Sequence, residues 1–286
     1  MRILVNEPCA LLEFLQRKIP SAAKTRLRKM LKYGGVMVDG AVAKRGDQTL
    51  QPGQVVEIHR VDAAQAIEAP LPLIYDDQWL MVVDKPSGLL SIAAVGEDAP
   101  SAYGMMGDYV RAITHGRGRV YVVHRLDRAA SGLLMFAKSL EVKKTLQRHW
   151  ERVEKRYLAL VEGRPPNASG AIRGWLREGQ AQKMQVCDRA PGARLAVTHY
   201  RVKKTLKSGA LLEVRLETGR RNQIRVHLAS IGCPVMGDRK YGAQSDPVGR
   251  LALHACLMAF PHPVTREMVR LELPMPDIFR AFLRTR

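Results

Sequence analysis

Short apolar runs and alternating segments divide much of the chain into predicted strands. Residues 120–123 and 133–137 are almost entirely apolar, which is typical of buried strands. In 212–217 and 269–273, apolar residues alternate with charged ones, which predicts strands with one face in water. Such alternation is typical of antiparallel sheets, whose second face is often solvated.

Other segments have the pattern of helices or of irregular chain. Residues 139–154 carry an apolar helical face, and a second helix begins near Asn222, a favoured N-cap residue, and stops before Gly232. Residues 91–119 and 163–197 are rich in Gly, Pro and Arg and predict long loops. Strands and helices follow each other without a sustained βαβ rhythm. We therefore predict the α+β class, built on a mixed, largely antiparallel β-sheet.

The first sixty residues have a separate pattern. A short amphipathic stretch begins at Phe14, and a helix with Ser21 as its N-cap runs to the glycine pair at 34–35. Residues 36–42 predict a strand, a turn and another strand, and residues 55–59 predict a last strand. This is the pattern of a small α/β module.

A loss of periodicity separates this module from the rest of the chain. Residues 63–72 lack a repeating apolar pattern and end in two prolines, which is typical of a linker. We therefore predict one module over 1–62, a linker over 63–72 and a larger domain over 73–286.

Charge indicates the kind of partner. The chain has 46 Lys and Arg against 27 Asp and Glu, a formal net charge of +19, which favours binding to a polyanion, nucleic acid above all. Residues 17–32 hold seven basic residues and no acidic one. The alternative for this helix is a solvated surface without a ligand. The candidate RNA-binding residues of the module are Lys24, Arg26, Arg28, Lys29 and Lys32.

Several classes of protein are not favoured. No apolar run is long enough for a membrane span or a signal peptide, so we expect a cytoplasmic protein without a membrane partner. The four cysteines are scattered and form no Cys-x-x-Cys pair, which suits a reducing compartment. The eight histidines show no metal-ligand spacing, so we expect no metal. A monomer is expected.

The strongest candidate for chemistry is Asp127. It lies between Arg125 and Arg128, in the connection between two predicted core strands, where scaffolded loops often carry function. Nearby positive charge favours the ionised form of a carboxylate, and a positioned carboxylate can act in covalent catalysis at a sugar carbon. The alternative is a structural salt bridge that holds the loop.

Three further segments contribute candidates. Residues 82–88 predict a strand that leads into a turn, with a structural role. Tyr157 enters a predicted strand, where it can be a core residue or can stack on a base and transfer a proton. In 217–228, basic residues surround a predicted helix N-terminus, a favourable place for RNA phosphate or for the Asp127 carboxylate. These basic residues are Arg220, Arg221 and Arg225.

Taken in order, these segments resemble an RNA pseudouridine synthase of the RluA type, and the first sixty residues resemble the S4 RNA-binding module. The resemblance covers nearly the whole chain. It is carried by "VVDKPSGLL" at 82–90, "HRLDRAASGLLMFAK" at 124–138, "KRYLALVEG" at 155–163, "ETGRRNQIRVHLASIGCPVMGDRKYG" at 217–242 and "LALHACLMAFPHP" at 251–263.

The resemblance implies roles for individual residues. Asp127 matches the essential aspartate that acts at the ribose of a flipped uridine, and Tyr157 matches a tyrosine that stacks on the base and is proposed to help remove the C5 proton. Arg225 matches the basic residue that forms a salt bridge with the aspartate. Arg125 matches the arginine that fills the gap left by the uridine, and Leu253 matches an apolar contact beneath the uracil. The other substrate-binding candidates are Arg128, Arg220 and Arg221.

The chain also departs from the usual pattern of the family. Usual members have Thr and His where this chain has Arg221 and Asn222, and Thr where it has Ala130. None of these departures replaces a position that the resemblance marks as catalytic. They leave open which RNA is the substrate and how the loop contacts it.

The implied reaction is the isomerisation of uridine to pseudouridine in structured RNA. Large-subunit ribosomal RNA is favoured over transfer RNA because of the S4-like module. No electrons or phosphate enter the reaction, so no cofactor is expected. One alternative is a ribosome-assembly protein that only binds RNA, but it would have no reason to keep Asp127, Tyr157 and Arg225 together. Another is a metal-dependent nuclease, which needs clustered carboxylates that the sequence lacks.

Overall fold

The computed structural model describes residues 1–20, 22, 24–32, 34–58, 68–94, 96, 98–180 and 183–285. These residues form two compact units, Met1–Glu68 and Ala69–Arg286. The division falls within residues 63–72, the predicted linker, of which 63–67 lie outside the described residues.

The first unit packs two short helices against small antiparallel sheets. Strands pair in the order β1-β6-β3-β4, and β2 pairs with β5. The predicted strand, turn and strand at 36–42 are confirmed. The elements are β1 (Arg2–Leu4), β2 (Cys9–Ala10), α1 (Leu11–Lys18), α2 (Lys24–Lys32), β3 (Val36–Val38), β4 (Ala41–Val42), β5 (Thr49–Leu50) and β6 (Val55–Ile58).

The start of the first helix differs from the prediction. Helix α1 begins at Leu11 rather than at Phe14, because Leu11, Phe14 and Leu15 form one apolar face that is buried in the core of this unit. Ser21, the predicted N-cap of the second helix, lies outside the described residues, as does His59 at the end of the last predicted strand.

The second unit is built on one large mixed sheet. Over its described residues, strands follow the order β13-β12-β14-β15-β11-β16-β10-β8-β7, with β17 beside β16 and β9 beside β10. The β10–β16 pair is parallel and the other pairs of named strands are antiparallel, which confirms the predicted class. The strands are β7 (Leu73–Asp76), β8 (Leu80–Lys85), β9 (Tyr121–Val122), β10 (Ser131–Ala137), β11 (Glu154–Glu162), β12 (Ser169–Glu178), β13 (Met184–Cys187), β14 (Arg194–Leu206), β15 (Gly209–Leu216), β16 (Leu253–Pro261) and β17 (Met268–Glu272).

Helices cover both faces of this sheet. The helices are α3 (Ala102–Ile113), α4 (Leu140–Arg148), α5 (Gln223–Ser230) and α6 (Asp277–Arg284). Residues of α3, α5 and α6 contribute to one apolar cluster, and residues of α4 contribute to another. Strand β10 supplies residues to both clusters and is buried along its whole length. This double burial explains why 133–137 is a continuous apolar run instead of an alternating one.

The two predicted long loops are wrong. Residues 91–119 contain α3, whose N-cap Ser101 accepts a hydrogen bond from the Gly104 N–H at 3.2 Å. Gly104 and Gly107 lower the helical propensity of this segment, so its pattern did not predict a helix. Residues 163–197 contain β12, β13 and the start of β14. Nearly all residues of β12 are at least partly exposed, so no buried face marks the strand in the sequence.

The single helix predicted over 139–154 is also wrong. Helix α4 ends at Arg148, and a 3₁₀ turn over Trp150–Arg152 leads into β11. Val153 is buried in the apolar cluster that contains residues of α4 and β10, but it lies after the helix has ended. Because a buried residue after a turn can keep helical spacing by chance, periodicity alone did not show where the helix ends.

The parallel crossing of β10 and β16 depends on Gly132. Its φ is +113°, and a Cβ added there would lie 2.2 Å from the Ala255 carbonyl oxygen. We expect Gly132→Ala to lower the free energy of unfolding by about 3 kcal/mol or more, measured by urea unfolding. Gly219→Ala is the control, since a Cβ at Gly219 meets nothing within 4 Å. Equal midpoints for the two variants would contradict the close approach.

Candidate active site

Asp127 lies in the tight turn that joins β9 to β10. The Ala130 N–H donates to the Asp127 carbonyl oxygen at 3.1 Å and closes the turn. Leu126 and Ala130 are buried on either side, and the Asp127 side chain remains 25% exposed. The turn therefore presents a carboxylate at the surface from a buried base.

The flanking arginines are exposed, and no ion pair of either with the carboxylate is found among the described residues. Arg125 is exposed. Arg128 is also exposed, and its Nε donates to the Gly88 carbonyl at 3.0 Å. Among the described residues, the cation that contacts Asp127 is Arg225, which is 98 positions away in the chain.

Lys85 holds this turn from below. It is fully buried at the end of β8, and burial lowers the pKa of its ammonium group to about 8, although the charge of Asp127 opposes this shift. Its Nζ lies within hydrogen-bond distance of two main-chain carbonyls that follow β8 and of two in the Asp127 turn. The ammonium group therefore takes the place of water for these oxygens. The carbonyls are those of Pro86 at 2.9 Å, Leu89 at 2.8 Å, Arg128 at 3.2 Å and Ala130 at 2.6 Å.

Two serines complete the attachment. The Ser87 hydroxyl donates to the Ala129 carbonyl at 2.6 Å. Ser91 donates to the Leu126 carbonyl at 2.8 Å and accepts from the Leu126 N–H at 2.9 Å. The segment at 82–88 was predicted to be structural. In the structure, its last residues support the turn that carries Asp127. The segment fixes the backbone after Asp127, and Ser91 fixes it before Asp127.

Arg225 joins the Asp127 turn to helix α5. Its Nη1 donates to Asp127 Oδ2 at 3.2 Å, so the salt bridge implied by the sequence resemblance is present. Its Nε and Nη2 donate to the two oxygens of Asp238 at 2.6 and 2.8 Å. This paired geometry is the strongest that a guanidinium forms with a carboxylate. Burial by itself would lower the pKa of Arg225. The hydrogen bonds and negative charges of Asp238, and then of Asp127, outweigh burial and raise this pKa.

Two more side chains orient the guanidinium. Its carbon lies 5.0 Å from the centre of the buried Tyr241 ring, a cation–π contact. Asn222 Oδ1 accepts from Arg225 Nη1 at 3.1 Å, and Asn222 Nδ2 donates to the Tyr241 hydroxyl at 3.1 Å. Asn222 occupies the predicted N-cap position, but its φ is 51° and its side chain makes no capping hydrogen bond. The predicted capping contact is therefore wrong, because this side chain is committed to Arg225 and Tyr241.

Tyr157 and Leu253 lie on neighbouring strands of the sheet. Tyr157 is buried on β11, opposite Val214 and Ala255. Burial raises the pKa of its hydroxyl, and the charge of Asp127 raises it further, which indicates that ring and carboxylate are close. Leu253 is buried at the start of β16, opposite Ala159. The structure thus brings Asp127, Tyr157 and Arg225 into one electrostatic group.

The other predicted arginines of the α5 N-terminus have separate partners. Arg220 Nε donates to the Leu195 carbonyl at 3.1 Å, and Arg221 forms an ion pair with Glu178 at 2.7 Å. Both partners belong to the strands of 163–197 that the sequence pattern did not predict. The arginines therefore do not meet as one cluster on Asp127.

The basic helix of the first unit is described in part. Helix α2 covers all five candidate positions, and Lys24 and Arg28 are exposed. The side chains of Arg26, Lys29 and Lys32 lie outside what the structure describes.

Two features of the described residues bear on the class of protein. Among the described residues, no group of three or more His, Cys, Asp or Glu side chains is placed to hold a metal ion. In the same residues, no helix has both the length and the apolar character that a membrane crossing requires. The four cysteines are free thiols.

Comparisons with known proteins agree with this arrangement. A family model described as RNA pseudouridylate synthase matches residues 79–230. The ribosomal large subunit pseudouridine synthase D of Xanthomonas campestris pv. campestris is 33% identical over 289 residues, covering 92% of this chain and 84% of the relative. The protein of the same name from Pseudomonas aeruginosa is 35% identical over 283 residues, covering 91% and 86%. In fold, this chain is similar to the structure named Human RNA Pseudouridylate Synthase Domain Containing 4, with a TM-score of 0.62, 24% identity and coverage of 74% and 92%.

Proposed function

The chain belongs to the RNA pseudouridylate synthase family, and we propose that it isomerises uridine in large-subunit ribosomal RNA with Asp127 as the residue that acts on the ribose. The observation that carries this proposal is the single hydrogen bond between Arg225 and Asp127 Oδ2. Within the described residues, the second oxygen, Oδ1, has no hydrogen-bond partner. It is the oxygen left to meet the sugar.

Arg225 supports this chemistry through the way its donors are divided. Asp238 takes two of its N–H groups and Asn222 takes one, so the guanidinium is held in place before substrate arrives. One donor then faces Asp127 Oδ2. A preorganised charge of this kind lowers the cost of building up charge in a reaction.

The reaction breaks the N1–C1′ bond, turns the detached uracil and forms a C5–C1′ bond. C5 then loses its proton and N1 gains one, so the product is an isomer of the substrate. Tyr157 supplies a ring for stacking on the uracil, and its hydroxyl is the proposed group for moving the C5 proton. The raised pKa of Tyr157 keeps the hydroxyl protonated at neutral pH, so in this proposal its oxygen accepts the C5 proton only as its own proton is passed on. Leu253 provides the apolar contact beneath the base. The reaction needs no electrons or phosphate, so the proposal includes no cofactor and no metal.

The uridine must leave its stack before it reaches Asp127. Flipping a base costs a few kcal/mol, and contacts with phosphates over a surface of net charge +19 can offset this cost. Arg125 is exposed beside Asp127, where it can occupy the space of the displaced base. Arg128, Arg220 and Arg221 are the further proposed RNA contacts. Because the proposed substrate is ribosomal RNA, the proposed location of the reaction is the cytoplasm. The protein is proposed to act as a monomer.

The direct test is to incubate the purified protein with ribosomal and transfer RNA from cells that lack it and to map pseudouridine by sequencing. We expect new pseudouridine in large-subunit ribosomal RNA. Modification of transfer RNA alone would contradict the proposed substrate, and no pseudouridine in either RNA would leave a protein that only binds RNA.

The first unit is proposed to be an S4-like RNA-binding module. We expect the double substitution Lys24→Gln and Arg28→Gln to weaken ribosomal RNA binding and to reduce the slope of log affinity against log salt by about 1–2, because each lost phosphate contact removes about one released counterion. The matched control is Lys144→Gln with Arg148→Gln, an equal charge change on exposed residues of α4. Equal salt slopes for the two double variants would identify the basic helix as mere surface.

A further inference from the structure

A buried polar cluster outside the Asp127–Arg225 pair lies where β10 crosses β16. Its members are Ser131, Arg250 and His254. Ser131 and His254 are 6% and 3% exposed and lie opposite each other in the parallel pairing. Arg250 Nη1 donates to Ser131 Oγ at 2.9 Å, and Ser131 Oγ lies 2.9 Å from His254 Nδ1. Buried polar groups need partners, and Ser131 supplies one to the half-buried Arg250 and one to His254 Nδ1, whereas His254 Nε2 is buried without a hydrogen-bond partner among the described residues.

With His254 Nδ1 as an acceptor, the hydrogen bonds of this cluster run in one direction, from Arg250 through Ser131 to His254. Burial, and after it the charge of Arg250, lowers the pKa of His254 to about 4, so the imidazole is neutral at physiological pH. A neutral ring nitrogen can accept a hydrogen bond. The Ser131 oxygen accepts from Arg250 while its hydrogen is free to be donated to His254. This series of hydrogen bonds therefore begins at a charged donor, Arg250, and ends at a neutral acceptor, His254.

This cluster is attached directly to the Asp127 turn. Ser131 follows Ala130, whose N–H closes the turn and whose carbonyl binds the Lys85 ammonium group at 2.6 Å. A shift of Ser131 would thus move both contacts of Ala130. Arg250 is itself fixed, because its guanidinium carbon lies 5.0 Å from the centre of the Phe279 ring, which is fully buried on α6.

We propose that Arg250 and Ser131 are positioning residues for Asp127: the Arg250–Ser131–His254 hydrogen-bond chain holds the end of the turn so that the carboxylate meets the ribose at the right distance. The inference rests on the proposed role of Asp127. Misplacement of a reacting group by about 1 Å can cost on the order of 100-fold in rate. Loss of this hydrogen-bond chain should therefore slow the reaction without weakening RNA binding.

The test is a double-mutant cycle of Ser131→Ala and Arg250→Met in the full chain. Methionine keeps an apolar side chain against Phe279 but removes the charge and the N–H donors. The rate constant is measured in a single turnover with saturating enzyme, and RNA affinity is measured separately. We expect each single variant to react about 10-fold more slowly with affinity within two-fold, and the double variant to react no more slowly than the slower single variant. Arg270→Met, an exposed arginine of β17, is the control and should react at the wild-type rate.

The outcomes separate this inference from the proposed function. Multiplied losses in the double variant, or single variants at the wild-type rate, would overturn the positioning role while the wild type still makes pseudouridine. A wild type without activity would instead defeat the proposed function. If Arg250→Met does not fold, as judged by circular dichroism, Ser131→Ala and Arg250→Lys decide the question. Both must then slow the single turnover at unchanged affinity.

Discussion

Replacing Asp127 by asparagine is expected to abolish pseudouridine formation while RNA affinity stays within about three-fold of the wild type. Asparagine has nearly the same shape but lacks the anionic oxygen that covalent catalysis at the ribose needs. The buried base of the turn, held by Lys85, Ser87 and Ser91, does not depend on the Asp127 side chain. The variant should therefore fold, and pseudouridine formation in total RNA measures the loss.

Asp188→Asn is the matched control, because Asp188 is an exposed aspartate of the same unit. It should keep the wild-type rate and affinity. If Asp127→Asn retained measurable turnover, Asp127 would not be the reacting group. If it lost RNA binding together with activity, the carboxylate would have a structural role in the loop.

Replacing Asp238 by alanine is expected to lower both stability and rate. Asp238 is 2% exposed and holds Arg225 through two hydrogen bonds. Removing one partner of a buried ion pair leaves the other charge poorly compensated, which costs about 3 kcal/mol or more in the free energy of unfolding. The freed guanidinium would also be able to turn toward Asp127 and occupy the oxygen proposed for the ribose. Urea unfolding and single-turnover kinetics measure the two effects.

Asp277→Ala provides the comparison for this variant. Asp277 is exposed and pairs with Arg280 on the surface of α6, so its loss should change the free energy of unfolding by less than about 0.5 kcal/mol. An Asp238→Ala variant as stable and as fast as Asp277→Ala would show that Arg225 needs no second carboxylate. If Asp238→Ala were stable but slow, we would conclude that Asp238 acts only by orienting Arg225.

Asp238 and Tyr241 were not singled out in the sequence, although both stand inside the segment 217–242 that carries the resemblance. The signal that could have found Asp238 is an aspartate followed by Arg239 and Lys240 in a chain with few acids. A local pattern cannot show that its partner is Arg225, thirteen positions earlier on a helix. The same holds for Arg250, whose partner Ser131 is 119 positions away.

The failures in secondary structure have a related cause. Prediction worked for strands with a buried face, such as 133–137 and 269–273, because burial imposes an apolar pattern on neighbouring residues. It failed for β12, whose more buried face alternates Gly170 and Gly174 with Ile172 and Leu176, and for α3, which contains two glycines. In both elements, backbone hydrogen bonding (to β13 and β14 for β12, within the helix for α3) and packing on one side outweigh weak local preferences.

The sequence by itself determined the class of fold, the position of Asp127 in a turn between core strands and, through the order of its motifs, the family. These features depend on neighbouring residues, whose alternation, turn chemistry and spacing are readable along the chain. The resemblance implied the salt bridge between Arg225 and Asp127, but only the tertiary structure decided that, within the described residues, the flanking arginines form no ion pair with this carboxylate and that Lys85 lies beneath the turn. Those contacts join residues that are about 40 to 100 positions apart, and the order and register of the strands bring them together.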